Sequence, residues 1–477
     1  MGSTAHELEI EGLTADSRQV APGYLFAAIP GTRVDGRNYI DQAVERGAVA
    51  VLAPTGTRLK TYDRPVLLIV DSEPRRRLAL MAARLYKRQP REIAAVTGTN
   101  GKTSVAVFVR QIWERLGRKA ASLGTLGLMP PRADAPAALT TPDPVELHRC
   151  LDALAGDGVE ALAMEASSHG LDQYRLDGVR LSAAAFTNLS RDHLDYHDGM
   201  EGYLAAKARL FGALLPAGGT AVLNADVPEF VALESLCRER GQVILTYGYA
   251  GRDLRLLALH PEPAGLTLEL EILGTRHTVG LTLAGAFQAH NLLAAVGLVL
   301  AGGADAEAVI ATLPHLEGVP GRVEPVGATP AGGQVYVDYA HTPDALATVL
   351  QAMRPHVRGR LWVVFGAGGD RDPGKRPLMG EAAARHADAV VVTDDNPRSE
   401  DPAAIRAQIM PACPDATEVG ERRAAIDFAL ARLEAGDVLV IAGKGHESGQ
   451  IVGDTVLPFD DREVARAAIA RLAGEAE

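Results

Sequence analysis

Short apolar runs that end in a cluster of polar and glycine residues recur along this 477-residue chain. Residues 161–164 lead into Glu165-Ala166-Ser167-Ser168-His169-Gly170, and residues 183–186 into Thr187-Asn188-Leu189-Ser190-Arg191-Asp192-His193. Residues 361–365 lead into Gly366-Ala367-Gly368-Gly369-Asp370-Arg371-Asp372. Residues 389–393 and 438–442 lead into Asp394-Asp395-Asn396-Pro397-Arg398 and Gly443-Lys444-Gly445-His446-Glu447. Strands alternating with helical stretches predict mostly parallel sheets covered on both faces. Ligands of such sheets lie beyond the carboxyl ends of the strands, which places the chemistry on two rims facing one cleft. A single cluster of this kind reads equally well as a polar loop; five that follow strand ends do not.

Another strand end carries the most specific signal. Residues 93–96 read as a strand and residues 103–116 as a helix, joined by Thr97-Gly98-Thr99-Asn100-Gly101-Lys102. A strand that turns through two glycines into a helix aims backbone N–H groups and the positive helix end at one point, a geometry that holds phosphate. Lys102 adds a cation for the terminal phosphates, and the Thr103 hydroxyl, followed by Ser104, is placed for Mg2+. Val96 stands where a complete Walker pattern has glycine. The bland alternative is a loop with a helix cap; the surrounding clusters favour ATP binding and hydrolysis.

The chain is long enough for about three domains. Residues 1–89 mix short strands (24–29, 48–53, 65–70) with one helix (75–87), which Pro90 is expected to close off. The reading is α/β throughout: a small N-terminal domain over 1–89, a central P-loop ATPase domain over 90–318, and a doubly wound domain over 319–477. The net charge of -12, without a basic block, argues against nucleic acid as a partner. No apolar run reaches the ~18 residues of a membrane span, and no secretory signal is visible. Cys150, Cys237 and Cys413 are scattered without metal spacing and read as reduced core thiols, which fits the cytoplasm.

Several residues at the strand ends are candidates for binding or catalysis. Thr103, Glu165 and His193 form a metal set, against the alternative of a capping carboxylate and a hydrogen-bonded core imidazole. Asn291 either caps a helix or reads an adenine edge. Arg322 and His341 are presented by turns as further nucleotide contacts. Arg371, Asp395, Asn396, Arg398 and Glu447 suit a zwitterion, since arginine clamps a carboxylate while Asp or Glu holds an ammonium. Their alternative is a solvated surface network.

Together these residues resemble the Mur ligase family. The likeness rests on residues 97–103, on Glu165-Ala166-Ser167-Ser168-His169-Gly170-Leu171, on 188–197, and on Asp338-Tyr339-Ala340-His341-Thr342-Pro343. It extends from Asp16-Ser17-Arg18 to Phe459-Asp460-Asp461-Arg462. The resemblance implies a UDP-binding domain, a central ATPase and a Rossmann-like C-terminal domain that receives an amino acid. It implies an ATP site at Gly98, Thr99, Asn100, Gly101, Lys102, Thr103, Ser104, Asn291, Arg322 and His341. Ser17, Thr140, Thr141, Ser167, Gln173 and Arg175 are similar to positions that contact a UDP-muramoyl dipeptide. Lys207, which by itself reads as a solvated helix residue, matches a lysine that becomes carbamylated. It would then join Thr103, Glu165 and His193 at Mg2+, and Lys102, His193 and Lys207 would form the catalytic set.

Within the family, the Asp394–Arg398 and Gly443–Glu447 stretches resemble the branch that adds diaminopimelate, with Arg371, Asp395, Asn396, Arg398, Gly443 and Glu447 as its binding residues. The expected activity is ATP-dependent amide formation through an acyl phosphate, by a cytoplasmic monomer acting on small molecules in peptidoglycan synthesis. A ligase charging lysine or ornithine, a folylpolyglutamate-type synthetase, and a P-loop regulatory ATP-binding protein are the competing readings.

Overall fold

The computed structural model describes residues 9–31, 34–132, 135, 139–190, 196–262 and 265–474. Near the N-terminus, strands Gly12–Thr14, Tyr24–Ala27, Ala50–Pro54 and Leu67–Asp71 pair in that order, all parallel. Helix Pro74–Leu85 starts with proline, whose missing N–H is not needed there. Its Leu78 and Ala82 pack on Leu25, Ala27, Ala50 and Leu52, and on Val145 of the next unit. The helix ends at Leu85, earlier than Pro90 alone would require. The Arg88 N–H bonds Asp152 Oδ1 at 2.8 Å, so the chain has already left the helix for the central unit.

The central sheet has ten strands. At its heart lie Val243–Gly248, Thr220–Asn224, Ala183–Phe186, Glu92–Thr97, Ala161–Glu165 and Ala120–Gly124, all parallel in that spatial order. Helices Lys102–Arg115 and Phe287–Ala301 cover one face through Val105, Phe108, Ile112, Leu292 and Val296; helix Pro144–Gly156 covers the other through Leu147, Leu151 and Leu154. The alternation of strand and helix expected here breaks at both edges: at one, Gly127–Met129 pairs antiparallel with Ala120–Gly124, and at the other three consecutive strands follow one another. Leu254–Glu262, Gly265–Ile272 and Thr275–Leu281 form an antiparallel meander. Leu273 and Gly274 both take positive φ (50° and 85°) between its last two strands, as a two-residue hairpin turn requires.

The C-terminal sheet runs Glu324–Ala328, Gln334–Asp338, Val438–Ala442, Leu361–Phe365, Ala389–Val392 and Thr417–Glu418, parallel except for the first strand. Helices Pro343–Met353, Lys375–His386 and Pro402–Ile409 pack on one face, and Arg422–Leu430 with Asp461–Leu472 on the other. This is the doubly wound arrangement expected. Strand Val438–Ala442 inserts between Gln334–Asp338 and Leu361–Phe365, so the loops after these strands open onto one rim. A separate hairpin, Gly449–Val452 with Thr455–Pro458, lies beside that rim. All three cysteines are buried, as core thiols would be. Among the described residues no helix is long and apolar enough to cross a membrane.

Candidate active site

Gly98 and Gly101 have φ of 145° and 88°, and a Cβ on either would collide, with Thr187 Oγ1 and Asn291 Oδ1 respectively. Glycine is required at both. The turn is stitched to the next strand end. Thr99 N–H donates to Asn188 O at 2.8 Å, Asn100 N–H to Asn188 Oδ1 at 2.9 Å, and Thr187 Oγ1 to Asn100 O at 2.6 Å. Lys102 Nζ folds back onto the carbonyls of Gly98 and Thr99 at 2.9 and 2.7 Å. Thr103 and Ser104 are buried in the first turn of the helix.

Asn291 lies inside helix Phe287–Ala301, a full turn past its start, so it is not the cap that sequence alone left open. Its Nδ2 donates to Gln288 Oε1 at 2.9 Å, and its Oδ1 rests against Gly101. Lys207 departs further from the reading of its residues alone. It is 1% exposed, donates to Gly98 O at 2.7 Å, and sits 4.2 Å from the centre of the Tyr203 ring. A cation desolvated against the phosphate turn is no solvated helix residue. Glu165, 1% exposed, accepts from Thr125 N–H at 2.8 Å and from Thr125 Oγ1 at 3.2 Å, so it organises the neighbouring loop from the adjacent strand end. His193 lies outside the described residues. Among those that are described, no cluster of three or more His, Cys, Asp or Glu is arranged to hold a metal.

A cavity of about 690 Å3 opens between the N-terminal and central units, lined by Ser17, Phe26, Gln42, Arg75, Gln173 and Arg175 among others. Ser17 Oγ donates to Gln42 Oε1 at 2.7 Å. Arg175 reaches Gln173 Oε1 at 2.8 Å and Thr141 O at 2.7 Å, and burial pushes its pKa down from the usual guanidinium range. From there hydrogen bonds run inward. Ser167 Oγ donates to Thr141 Oγ1 at 3.0 Å, and Thr141 Oγ1 to Glu165 O at 3.0 Å, while Thr140 and Thr125 share a hydroxyl contact at 3.1 Å. Gln173, Arg175, Thr141, Ser167 and Thr140 thus lie along contacts leading from the cavity to Glu165, while Ser17 lines the cavity and bonds only Gln42 among the contacts described.

On the C-terminal rim, Arg398 takes φ of +52°, uncommon for a residue with a side chain. The hairpin holds it there: Arg398 N–H donates to Ile451 O at 3.0 Å, and Gly453 N–H to Arg398 O at 2.7 Å. Its guanidinium donates to Gly369 O at 2.8 Å and shares the flank of Gly368 with the exposed Arg371. Asn396 Nδ2 donates to Glu447 Oε2 at 3.0 Å. Asp395 Oδ1 is buried without a hydrogen-bond partner among the described residues, although Lys444 Nζ stands 3.8 Å away. Gly443, at φ of 118°, lies next to Asp395. Asp395 and Asn396, only 7% and 4% exposed, are not part of a solvated surface network, whereas Arg371 is exposed and Arg398 and Glu447 are half-buried.

Arg322 connects the two rims. Its Nη2 lies 3.5 Å from Thr103 Oγ1, and its guanidinium stacks 4.6 Å from the Tyr339 ring centre. Tyr339 in turn lies 5.1 Å from the His446 ring. Burial, reinforced by Arg322, pushes His446 down to about 4. His341 keeps its ring near Tyr339, and its carbonyl accepts from Lys375 Nζ at 3.0 Å. Burial lowers the Lys375 pKa too, with Asp395 opposing. Tyr339, Lys375 and Lys444 were not singled out by sequence reasoning. Lys444 sits between two glycines of a quoted motif, where a spacer and a buried cation look alike.

Three family models match successive parts of the chain. Residues 9–86 match the Mur ligase family catalytic domain, 96–299 the Mur ligase middle domain, and 321–445 the Mur ligase glutamate ligase domain. UDP-N-acetylmuramoyl-L-alanyl-D-glutamate–2,6-diaminopimelate ligase of Caulobacter vibrioides is 56% identical, covering 95% of this chain and 94% of its own. The protein of that name from Bradyrhizobium diazoefficiens is 54% identical over 97% and 95%. A solved structure of that name superposes with a TM-score of 0.72 at 35% identity, covering 98% of this chain and 96% of the other.

Proposed function

Because this chain belongs to the Mur ligase family, we propose that it joins meso-2,6-diaminopimelate to UDP-N-acetylmuramoyl-L-Ala-D-Glu in peptidoglycan synthesis. An amine does not displace oxide from a carboxylate, so the acid must first gain a leaving group. The γ-carboxylate of D-glutamate attacks the γ-phosphorus of ATP, expelling ADP and giving an acyl phosphate. The unprotonated amine then adds to the acyl carbon, and phosphate departs as the amide forms. Lys102 and the amino end of helix Lys102–Arg115 stabilise charge on the transferring phosphoryl group. The network from the cavity through Arg175, Thr141 and Ser167 holds the dipeptide with its acid near Glu165.

Thr103 and Glu165 offer the hard oxygens that Mg2+ prefers, the nucleotide supplying the rest, so the residues present fit that ion. When bound, it neutralises triphosphate charge. His193 and a carbamylated Lys207 complete the set in this reading, which the hydrogen bond from Lys207 to Gly98 O in the phosphate turn supports. Residues 1–89, 90–318 and 319–477 then serve the uridine nucleotide, ATP and the amino acid respectively, in a cytoplasmic monomer.

The observation that carries the proposal is the path of contacts from Thr103 through Arg322 and Tyr339 to His446, the chain neighbour of Glu447, which accepts from Asn396 in the cluster with Asp395 and Arg398. A regulatory nucleotide switch has no use for a zwitterion pocket at the end of that path. Diaminopimelate differs from lysine by a distal carboxylate, for which Arg398 and Arg371 are the partners. Incubating the chain with ATP, UDP-muramoyl dipeptide and a labelled mixture of diaminopimelate, lysine and ornithine tests the proposal. ADP release that needs dipeptide and diaminopimelate together supports it; preference for lysine or ornithine, or release without any amine, overturns it.

A further inference from the structure

Lys444, on the C-terminal rim, is charged, 0% exposed and without a part in the reading above. Its Nζ donates to Asn396 Oδ1 at 3.0 Å and to Glu447 Oε2 at 3.1 Å, and faces Asp395 Oδ1 at 3.8 Å. A lysine buried on a protein's own carboxylates usually looks like a structural pair. Here, however, its three partners are the groups assigned to an incoming ammonium.

The directions of the hydrogen bonds give Lys444 a specific task. The Asn396 amide can be oriented in two ways, and its Oδ1 accepts from both Lys444 Nζ and Ile451 N–H, the latter at 2.9 Å. That fixes Nδ2 on Glu447 Oε2. Both of these donors reach Oε2, which leaves Oε1 of a side chain one-third exposed to a ligand. Asp395 Oδ1, orphaned and buried, is the second acceptor. Two carboxylates with one resident ammonium retain one negative charge, the complement of one ligand ammonium. Without Lys444 the two carboxylates would repel, and Asn396 would lose one of the donors that set its orientation.

We propose that Lys444 is a positioning residue for the amino-acid substrate. It holds Asn396, Glu447 and Asp395 as a preset acceptor for the distal ammonium and makes no bond to the reacting atoms. The inference rests on the functional reading above.

The test compares K444M, K444Q and K444R with the parent in steady-state ligation, varying diaminopimelate and ATP separately. In K444M and K444Q the KM for diaminopimelate rises at least about tenfold, the scale of one hydrogen bond to a charged group. KM for ATP and kcat at saturating diaminopimelate stay within about threefold, and K444R, which keeps the cation, recovers part of the loss. Thermal denaturation identifies any variant that does not fold. Should K444M and K444Q both fail to fold, K444R decides: its geometry is altered, so its diaminopimelate KM alone must rise. Unchanged KM for diaminopimelate overturns the proposal. So does a parallel loss in both substrates, which marks a general structural role, or a fall in KM, which marks Lys444 as a competitor of the ligand ammonium. A parent that does not use diaminopimelate at all instead overturns the functional reading.

Discussion

Arg322 Nη2 lies 3.5 Å from Thr103 Oγ1, joining two residues 219 positions apart in the chain. Thr103 lies in the first turn of the helix behind the phosphate turn, and Arg322 precedes the first strand of the C-terminal sheet. The same guanidinium stacks on Tyr339, so one side chain touches both rims.

Replacing Arg322 by alanine is therefore expected to damage ligation more than nucleotide binding. Removing a cation that orients both halves of a site costs about 10- to 100-fold in kcat. KM for ATP should rise by less. Steady-state kinetics check this, and an R322A enzyme with parental kcat would remove Arg322 from the cleft's working geometry.

Arg398 donates to Gly369 O from a left-handed backbone, beside Arg371. Arg398→Ala should raise KM for diaminopimelate strongly while leaving the ATP constant near its parental value. Stranding a ligand carboxylate costs about 2–5 kcal/mol, or roughly 30- to 5,000-fold in kcat/KM. Wild-type turnover at low diaminopimelate would sink the assignment.

Lys207, buried on Gly98 O, should be indispensable. Lys207→Ala is expected to lose about 100-fold or more in activity, the size of one transition-state electrostatic contact. If the working group is the carbamate, added formate or acetate restores part of the rate and short alkylamines do not. Rescue by amines alone reverses that conclusion.

His446 is held at about 4, chiefly by burial and then by Arg322. Unfolded histidine titrates near 6.5. Between those values the unfolded chain binds more protons at this position, so its contribution to stability falls as pH falls from about 6.5 to about 4. Burial raises Asp338, which acts in the opposite sense, so the difference between the parent and H446Q is the informative quantity. Denaturation midpoints across that interval should decline less steeply in H446Q; equal slopes would dissociate His446 from acid sensitivity.

Where polar clusters follow apolar runs, the rims were legible, because parallel strands must release their chains at one edge. The phosphate turn was legible for the same reason, down to its two glycines. Lys207 was not, since burial of one lysine in an alanine-rich helix depends on what packs across from it, here Tyr203 and the Gly98 carbonyl. Asn291 stayed open between a cap and an adenine contact because the helix start could not be placed within a turn. The meander at 254–281 went unread, although the alternation of residues 266–272 argues a half-buried strand. The cavity at Ser17 joins Phe26, Gln42, Arg75 and Arg175, side chains that no local pattern relates.

The hairpin Gly449–Pro458 grips Arg398 through two main-chain hydrogen bonds, from Arg398 N–H to Ile451 O and from Gly453 N–H to Arg398 O. Those bonds are indifferent to which side chain the hairpin carries at 451, but not to the glycine at 453, which takes φ of 58°, or to the number of residues between them. Point changes at exposed Val456 and Leu457 should pass unnoticed in amino-acid selectivity. Deleting a single residue between Ile451 and Gly453 should shift the register of Arg398 and loosen selectivity while ATP affinity holds. Length and the glycine at its turn, rather than the outward side chains, constrain this ribbon.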